Sequence, residues 1–262
     1  MSSNPTSDAV LFHVANGVGT ITMNRPENRN ALSTDIVDGL DASLDRAIAD
    51  TNVHVIVLTG NGPVFCAGAD LKERRTVTAG PGDNELPTFV RVFQKIQKSP
   101  KVVVGRLQGS ALAGGLGLAS VCDLTIAVDT AKFGFTEVRL GLTPAIISVI
   151  CLPKLSVADA AELFLTGERI NAAQAVRVGL INRSVPAAEL DASVAELLAK
   201  LRLGGPIALG QTKALLSRVP AIADQRQAFL EMARLSASLF ASDEGIEGMT
   251  AFAAKRPPRW TL

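Results

Sequence analysis

A buried strand that breaks at a cluster of glycines is the feature that most constrains this chain. Residues 101–123 read KVVVGRLQGSALAGGLGLASVCD. The β-branched run Val102, Val103, Val104 has the character of a strand covered on both faces. Glycines follow at Gly109, Gly114, Gly115 and Gly117, and small apolar residues (Leu118, Ala119, Val121) then predict a helix packed inside the protein. A strand that gives way to a helix in this manner leaves unpaired backbone N–H groups at the helix start. Those donors and the positive end of the helix dipole suit a negative oxygen. Gly114 and Gly115 would let a ligand approach the backbone without meeting a side chain. The stretch alone leaves two readings open: half of an oxyanion hole, or glycines that serve only close helix–strand packing.

The rest of the chain reads as a mixed α/β protein built from a recurring strand–strand–helix order up to about residue 130. Residues 9–23 predict two strands joined by an Asn16-Gly17 turn, a strong hairpin signal. Ser33 or Thr34 can cap a helix to about Ala49, with Ile36, Val37, Leu40, Leu44, Ala47 and Ile48 on one apolar face. Residues 53–59 (VHVIVLT) predict a buried strand, and residues 60–75 a second glycine-bearing loop leading toward a helix. Residues 76–86 are polar and rich in glycine and proline, which predicts a mobile loop. A helix starting at Pro87 and stopping before Pro100 would place Phe89, Val90, Phe93 and Ile96 together. Strands are expected over residues 124–128 and 181–185, and an ordered loop over residues 133–144. Helices are expected from Ser156, from Asn171 to Gly179, and throughout the chain beyond about residue 190, with a hinge at Gly204-Gly205-Pro206.

Composition narrows the function classes. The chain has 262 residues, enough for one large domain or a core with an appendage. Its net charge of +1 gives no bulk field to draw nucleic acid or an anionic membrane. A mean hydropathy of +0.27 indicates apolar surface to spare, which hints at subunit contacts. Cys66, Cys122 and Cys151 are widely spaced and odd in number, which suggests neither disulfides nor a metal site and fits a reduced, cytoplasmic setting. The beginning MSSNPTSDA has no signal-peptide pattern, and no apolar run has the length of a membrane span. With two histidines and no tyrosine, carboxylates are the most plausible general bases. His13 and His54 sit within strand patterns and are assigned structural roles.

Two glycine-bearing strand-to-helix loops in one chain, around Ala69 and Gly114, could together offer two backbone donors to one oxygen. Lys72, Arg74 and Arg75 add local positive charge suited to phosphates. GGLG lacks the third glycine of a dinucleotide fingerprint, there is no GxxxxGK[ST], and Gly109-Ser110-Ala111 is not a nucleophile elbow. Glu137 stands out among the carboxylates, because Phe133, Phe135, Leu140 and Leu142 around it would raise its pKa and fit it for proton transfer. A solvated loop glutamate is the plainer alternative.

FCAGADLKE (residues 65–73), GSALAGGLGLASVCD, LTGERINAAQAVRVGLINRSVP (residues 165–186) and EGMTAFAAKRPPRW occur in this order. In these motifs the sequence resembles the crotonase (enoyl-CoA hydratase/isomerase) superfamily over nearly its whole length. The resemblance implies a right-handed spiral of ββα units in residues 1–195 and a C-terminal helical region in residues 196–262. That region would mediate trimers, often paired as hexamers. It implies a coenzyme A thioester as substrate, with no redox cofactor or metal, and an enolate held by the amides of Ala69 and Gly114. The loop Ala67, Ala69, Asp70, Leu71, Lys72 would border the adenine of coenzyme A, with Lys72 as a nearby cation. Phe252 and Lys255 match residues that reach a neighbouring subunit's ligand site.

Hydratases of this family use two glutamates. Glu137 matches the second, whereas Gly117 stands at the place of the first. One glutamate suffices for proton shuttling in the family's isomerases. TEVRLGLTPAIIS (residues 136–148) resembles bacterial methylglutaconyl-CoA hydratase-like members. Hydration of a 2-enoyl-CoA with Glu137 as acid/base is the expectation, isomerisation of a 3-enoyl-CoA the first alternative, and methylglutaconyl-CoA hydration or non-catalytic acyl-CoA binding the others.

Overall fold

The computed structural model describes residues 8–74 and 86–261. The loop expected over residues 76–86 lies outside the described residues except for Leu86, as does Arg75. The hairpin forms as its turn chemistry dictates. Strands β1 (Val10–Ala15) and β2 (Val18–Met23) pair antiparallel around Asn16 and Gly17, which have φ of 50° and 76°. Helix α1 (Thr34–Ala49) starts at Ser33, whose hydroxyl accepts from the Ile36 amide. It buries Ile36, Val37, Leu40, Leu44 and Ala47, while Ile48 is half-buried.

The chain then winds in repeated turns, each laying one strand in each of two sheets. Strand β3 (Val55–Gly60) is followed by β4 (Val64–Cys66), the short helix α2 (Leu71–Arg74) and α3 (Thr88–Lys98). The next turn is β5 (Val102–Leu107), β6 (Ser110–Leu112) and α4 (Gly114–Val121). A third is β7 (Leu124–Val128), β8 (Lys132–Gly134), a 3-10 helix (Thr136–Leu140) and α5 (Ala145–Cys151). There follow α6 (Val157–Thr166), β9 (Ile170–Asn171), α7 (Ala172–Arg177) and β10 (Arg183–Val185). The chain continues as α8 (Leu190–Leu201), α9 (Pro206–Arg218), α10 (Gln225–Phe240) and α11 (Asp243–Ala253). The larger sheet has the order β1-β2-β3-β5-β7-β10 and is parallel beyond the hairpin. The smaller has the order β4-β6-β8-β9, parallel except for β9.

Three local expectations are corrected. Val92, not Val90, joins Phe89, Phe93 and Ile96 on the buried face of α3, because a helix places positions i, i+3, i+4 and i+7 together. The expected strand over residues 181–185 shortens to Arg183–Val185, because the amides of Leu180 and Ile181 bond to the Ala175 carbonyl and close α7. The glycine-dense turn before α4 contains a strand of its own, β6. The division at residue 195 falls within α8, which buries Leu190, Val194 and Leu197.

The core fills the space between the sheets and their helices, with Phe65, Phe133, Phe135, Ile56, Leu58 and Leu107 almost fully buried. Cys66, Cys122 and Cys151 are buried free thiols; burial pushes Cys66 and Cys122 up to about 12, so they pack as apolar groups. No described helix is long and apolar enough to cross a membrane.

One buried cation fastens the last helices to this spiral. Lys213 of α9 is only 8% exposed. Its ammonium pairs with Asp123 at 2.8 Å and donates to the carbonyls of Ile96 (2.6 Å) and Lys101 (3.1 Å). Asp123 also accepts from the Val103 amide at 2.7 Å, so α3, β5, the end of α4 and α9 meet at one ion pair. Removing one partner of such a pair strands the other charge, at a typical cost of about 3–5 kcal/mol. Lys213→Met should therefore lower the urea midpoint far more than Lys200→Met, whose Glu196 partner is exposed. Equal shifts for the two variants would contradict this anchoring role.

Candidate active site

The two glycine-bearing loops meet. The first leaves β4 and enters α2; the second leaves β6 and enters α4. A parallel bridge between Leu32 and Ala69 holds the first loop, with the Leu32 amide donating to the Gly68 carbonyl at 2.8 Å. A Cβ added at Gly114 would stand 3.8 Å from the Ala69 nitrogen, so the two backbones adjoin at this point. The Gly114 amide belongs to the first residue of α4, where no intrahelical acceptor exists. Gly115 makes the junction tight, since a side chain there would collide with the Cys66 carbonyl oxygen. The glycines thus differ: Gly115 packs against the first loop, while Gly114 lines an open cavity.

That cavity has a volume of about 290 Å³. Ala67, Ala69, Leu71 and Gly114 line one side, and Glu137, Leu140, Leu142 and Ile147 another. Glu137 is the one titratable side chain on its wall among the described residues. It sits in the 3-10 helix Thr136–Leu140, which Gly141 ends in a left-handed conformation (φ 71°). Just upstream, the Gly134 carbonyl accepts from the Ala113 amide at 2.9 Å and ties this segment to the start of α4. Glu137 is half-buried, and its Oε2 is buried without a hydrogen-bond partner. Burial pushes its carboxyl above the usual range, opposed by a backbone hydrogen bond. Proton transfer near neutral pH needs such a group.

The other expected residues divide. Ala67 and Leu71 line the cavity, and Lys72 is exposed at the start of α2. Asp70 is not on the cavity wall; its carboxylate accepts from Asn28 (2.6 Å) and from the amide of Lys72 (2.9 Å). The hydrogen bond from Asn28, with those from the α2 amides, holds its pKa below the usual range against burial. Asp70 therefore caps α2. Phe252, 87% exposed, and Lys255 lie off the wall of this cavity.

Two residues on the wall carry no sequence signal of their own. A Cβ at Gly117 would collide with Ile147 Cγ2 and stand 3.1 Å from Phe93 Cζ. The space beside Gly117 is thus already filled by hydrocarbon from α5 and α3. Ala113, the residue before α4, also lines the cavity, and does so at φ 49°.

Because the folded-state pKa of Glu137 is raised, its ionised form costs folding free energy above that pKa, and the cost disappears below the unfolded value. Glu137→Gln should thus raise the thermal midpoint at neutral pH and leave it unchanged near pH 3. The low-pH limb of the wild-type rate profile, where the carboxylate takes up its proton, should lie above 4.5, the ordinary glutamate value. A lower neutral-pH midpoint in the variant would contradict this electrostatic reading.

The chain matches the Enoyl-CoA hydratase/isomerase family over residues 13–262. A putative enoyl-CoA hydratase of Thermus thermophilus is 35% identical over 246 residues, covering 93% of this chain and 97% of that protein. An enoyl-CoA hydratase/isomerase structure from Marinobacter aquaeolei superposes with a TM-score of 0.90 at 34% identity, covering 97% of this chain and 99% of that one. A putative enoyl-CoA hydratase/isomerase (crotonase) from Legionella pneumophila gives a TM-score of 0.87 at 34% identity, with coverage of 97% and 99%. With its two-sheet spiral and the convergence of Ala69, Gly114 and Glu137 on one cavity, this chain belongs to the enoyl-CoA hydratase/isomerase family of the crotonase superfamily and is an enzyme of that family.

Proposed function

We propose that this enzyme adds water to a 2-enoyl-CoA thioester, with Glu137 as its single acid/base. The observation that carries this reading is the unpartnered, buried Oε2 of Glu137 on the same cavity as the Ala69 and Gly114 amides. The thioester oxygen would accept from the two amides. The Glu137 carboxylate takes a proton from water as the water oxygen bonds to C3. The C2=C3 electrons move toward the thioester, and the resulting enolate oxygen is stabilised by the two donors, each worth about 10²–10³ in rate in comparable sites. Glu137 then returns the same proton to C2, and the carbonyl re-forms. Atoms balance as enoyl thioester plus water giving 3-hydroxyacyl thioester.

Isomerisation is the second reading, favoured by Ile147. Hydrocarbon fills the space beside Gly117, so a second carboxylate to orient water is not supplied from α4. With a 3-enoyl-CoA, Glu137 would remove a C2 proton, the two amides would hold the dienolate oxygen, and the proton would return at C4. In both readings coenzyme A is part of the substrate. The loop Ala67–Lys72 would border the adenine, with Lys72 near the phosphates. Leu216, Phe229, Phe240 and Phe252 leave apolar surface exposed on the C-terminal helices, which fits burial in a trimer or a pair of trimers.

An absorbance assay of the conjugated enoyl thioester separates the readings. Hydration predicts loss of signal from crotonyl-CoA, and isomerisation predicts gain of signal from 3-pentenoyl-CoA. Glu137→Gln should lower either rate by about 10²–10⁴-fold. Loss of crotonyl-CoA signal that persists in Glu137→Gln would remove Glu137 from the mechanism.

A further inference from the structure

Ala113 has φ 49° and ψ −128°, a backbone conformation that glycine adopts readily and alanine does not. It stands directly before Gly114 and on the cavity wall. The surrounding contacts force this conformation. On one side, the Ala113 amide donates to the Gly134 carbonyl at 2.9 Å. On the other, its carbonyl accepts from the amides of Leu116 (2.9 Å) and Gly117 (3.2 Å) in the first turn of α4. Two residues on, Gly115 has no room to move because it packs on the Cys66 carbonyl.

This pinning has a geometric consequence. The Ala113 carbonyl and the Gly114 N–H share one peptide plane and point in opposite directions. With the carbonyl drawn into α4, the N–H is driven outward from the helix start. The dihedral angles of Ala113 therefore set the aim of the Gly114 donor. Its methyl does something further: a Cβ added at Gly68 would stand 2.8 Å from the Ala113 Cβ, so the methyl fills the gap against the residue immediately before Ala69.

We propose that Ala113 is a positioning residue for the oxyanion donors. Its methyl, held in a strained backbone, is the spacer that fixes the Gly114 amide relative to the Ala69 amide. The inference rests on the enolate reading of the site given above. A glycine at this position would accept the same dihedral angles without strain but would also free the peptide to swing, because the spacer is gone. Stability and catalysis should therefore move in opposite directions on removing one methyl group. A residue whose role is packing alone would lose both.

Ala113→Gly tests this with acetoacetyl-CoA, whose bound form ionises to an ultraviolet-absorbing enolate when the thioester oxygen meets fixed donors. Wild-type protein should develop the enolate band. The variant should bind acetoacetyl-CoA with a weakened band, unfold at a higher temperature, and show a fall in kcat of about tenfold with KM nearly unchanged. An enolate band and kcat equal to wild type would overturn the spacer role, whatever the thermal midpoint. A lower midpoint together with a proportional loss of binding would reduce Ala113 to packing and overturn it as well. Failure of the wild type itself to ionise the bound probe would contradict the enolate reading, and the wild-type arm alone reveals that.

Discussion

The site depends on how closely two backbones approach. α4 begins against the carbonyl of Cys66, at a distance that no residue but glycine permits at position 115. This contact brings the loop after β4 beside the start of α4, and with it Ala69 beside Gly114. Strand pairing supplies the rigidity, since β4, β6 and β8 are consecutive neighbours in the smaller sheet and each feeds one wall of the cavity. Backbone donors held this way need no reorganisation when charge develops, which is the source of their value over donors in water.

Electrostatics follow from the same packing. Glu137 is the only titratable side chain that the described cavity wall offers, and burial disfavours its charge. Apolar surroundings that would be a liability in a merely structural carboxylate give it a proton affinity suited to exchange with carbon or water. Two other buried charges are paired: Lys213 with Asp123 across four elements, and Glu247 with Arg256, whose hydrogen bonds lower the Glu247 carboxyl to about 2. At the cavity, by contrast, the buried Oε2 of Glu137 has no hydrogen-bond partner. Asp41 Oδ1, which is also buried, meets the Lys95 ammonium at 2.8 Å and lies off this wall.

Most elements were legible in the sequence because local chemistry decides them. Asn16-Gly17, the Ser33 and Ser156 caps and the Asn171–Gln174 capping box behave as their residue types predict. The apolar surroundings of Glu137 gave the right direction for its pKa. Less legible were features that depend on which segments meet. Asp70 reads as a loop residue; that its carboxylate also accepts from the distant Asn28 while capping α2 through the Lys72 amide depends on tertiary contact. Ile147 lies thirty positions beyond Gly117 and carries no sign that it fills the space there. The strain at Ala113 is invisible in the sequence, because an alanine before two glycines looks like the least remarkable residue of the motif.

A crystal structure with a non-hydrolysable coenzyme A thioester analogue tests the central claim most directly. The account predicts the thioester oxygen about 3 Å from both the Ala69 and the Gly114 nitrogens, with the Glu137 carboxylate facing the carbons next to it. A thioester oxygen bonded to one amide only, or turned away from both, would contradict it.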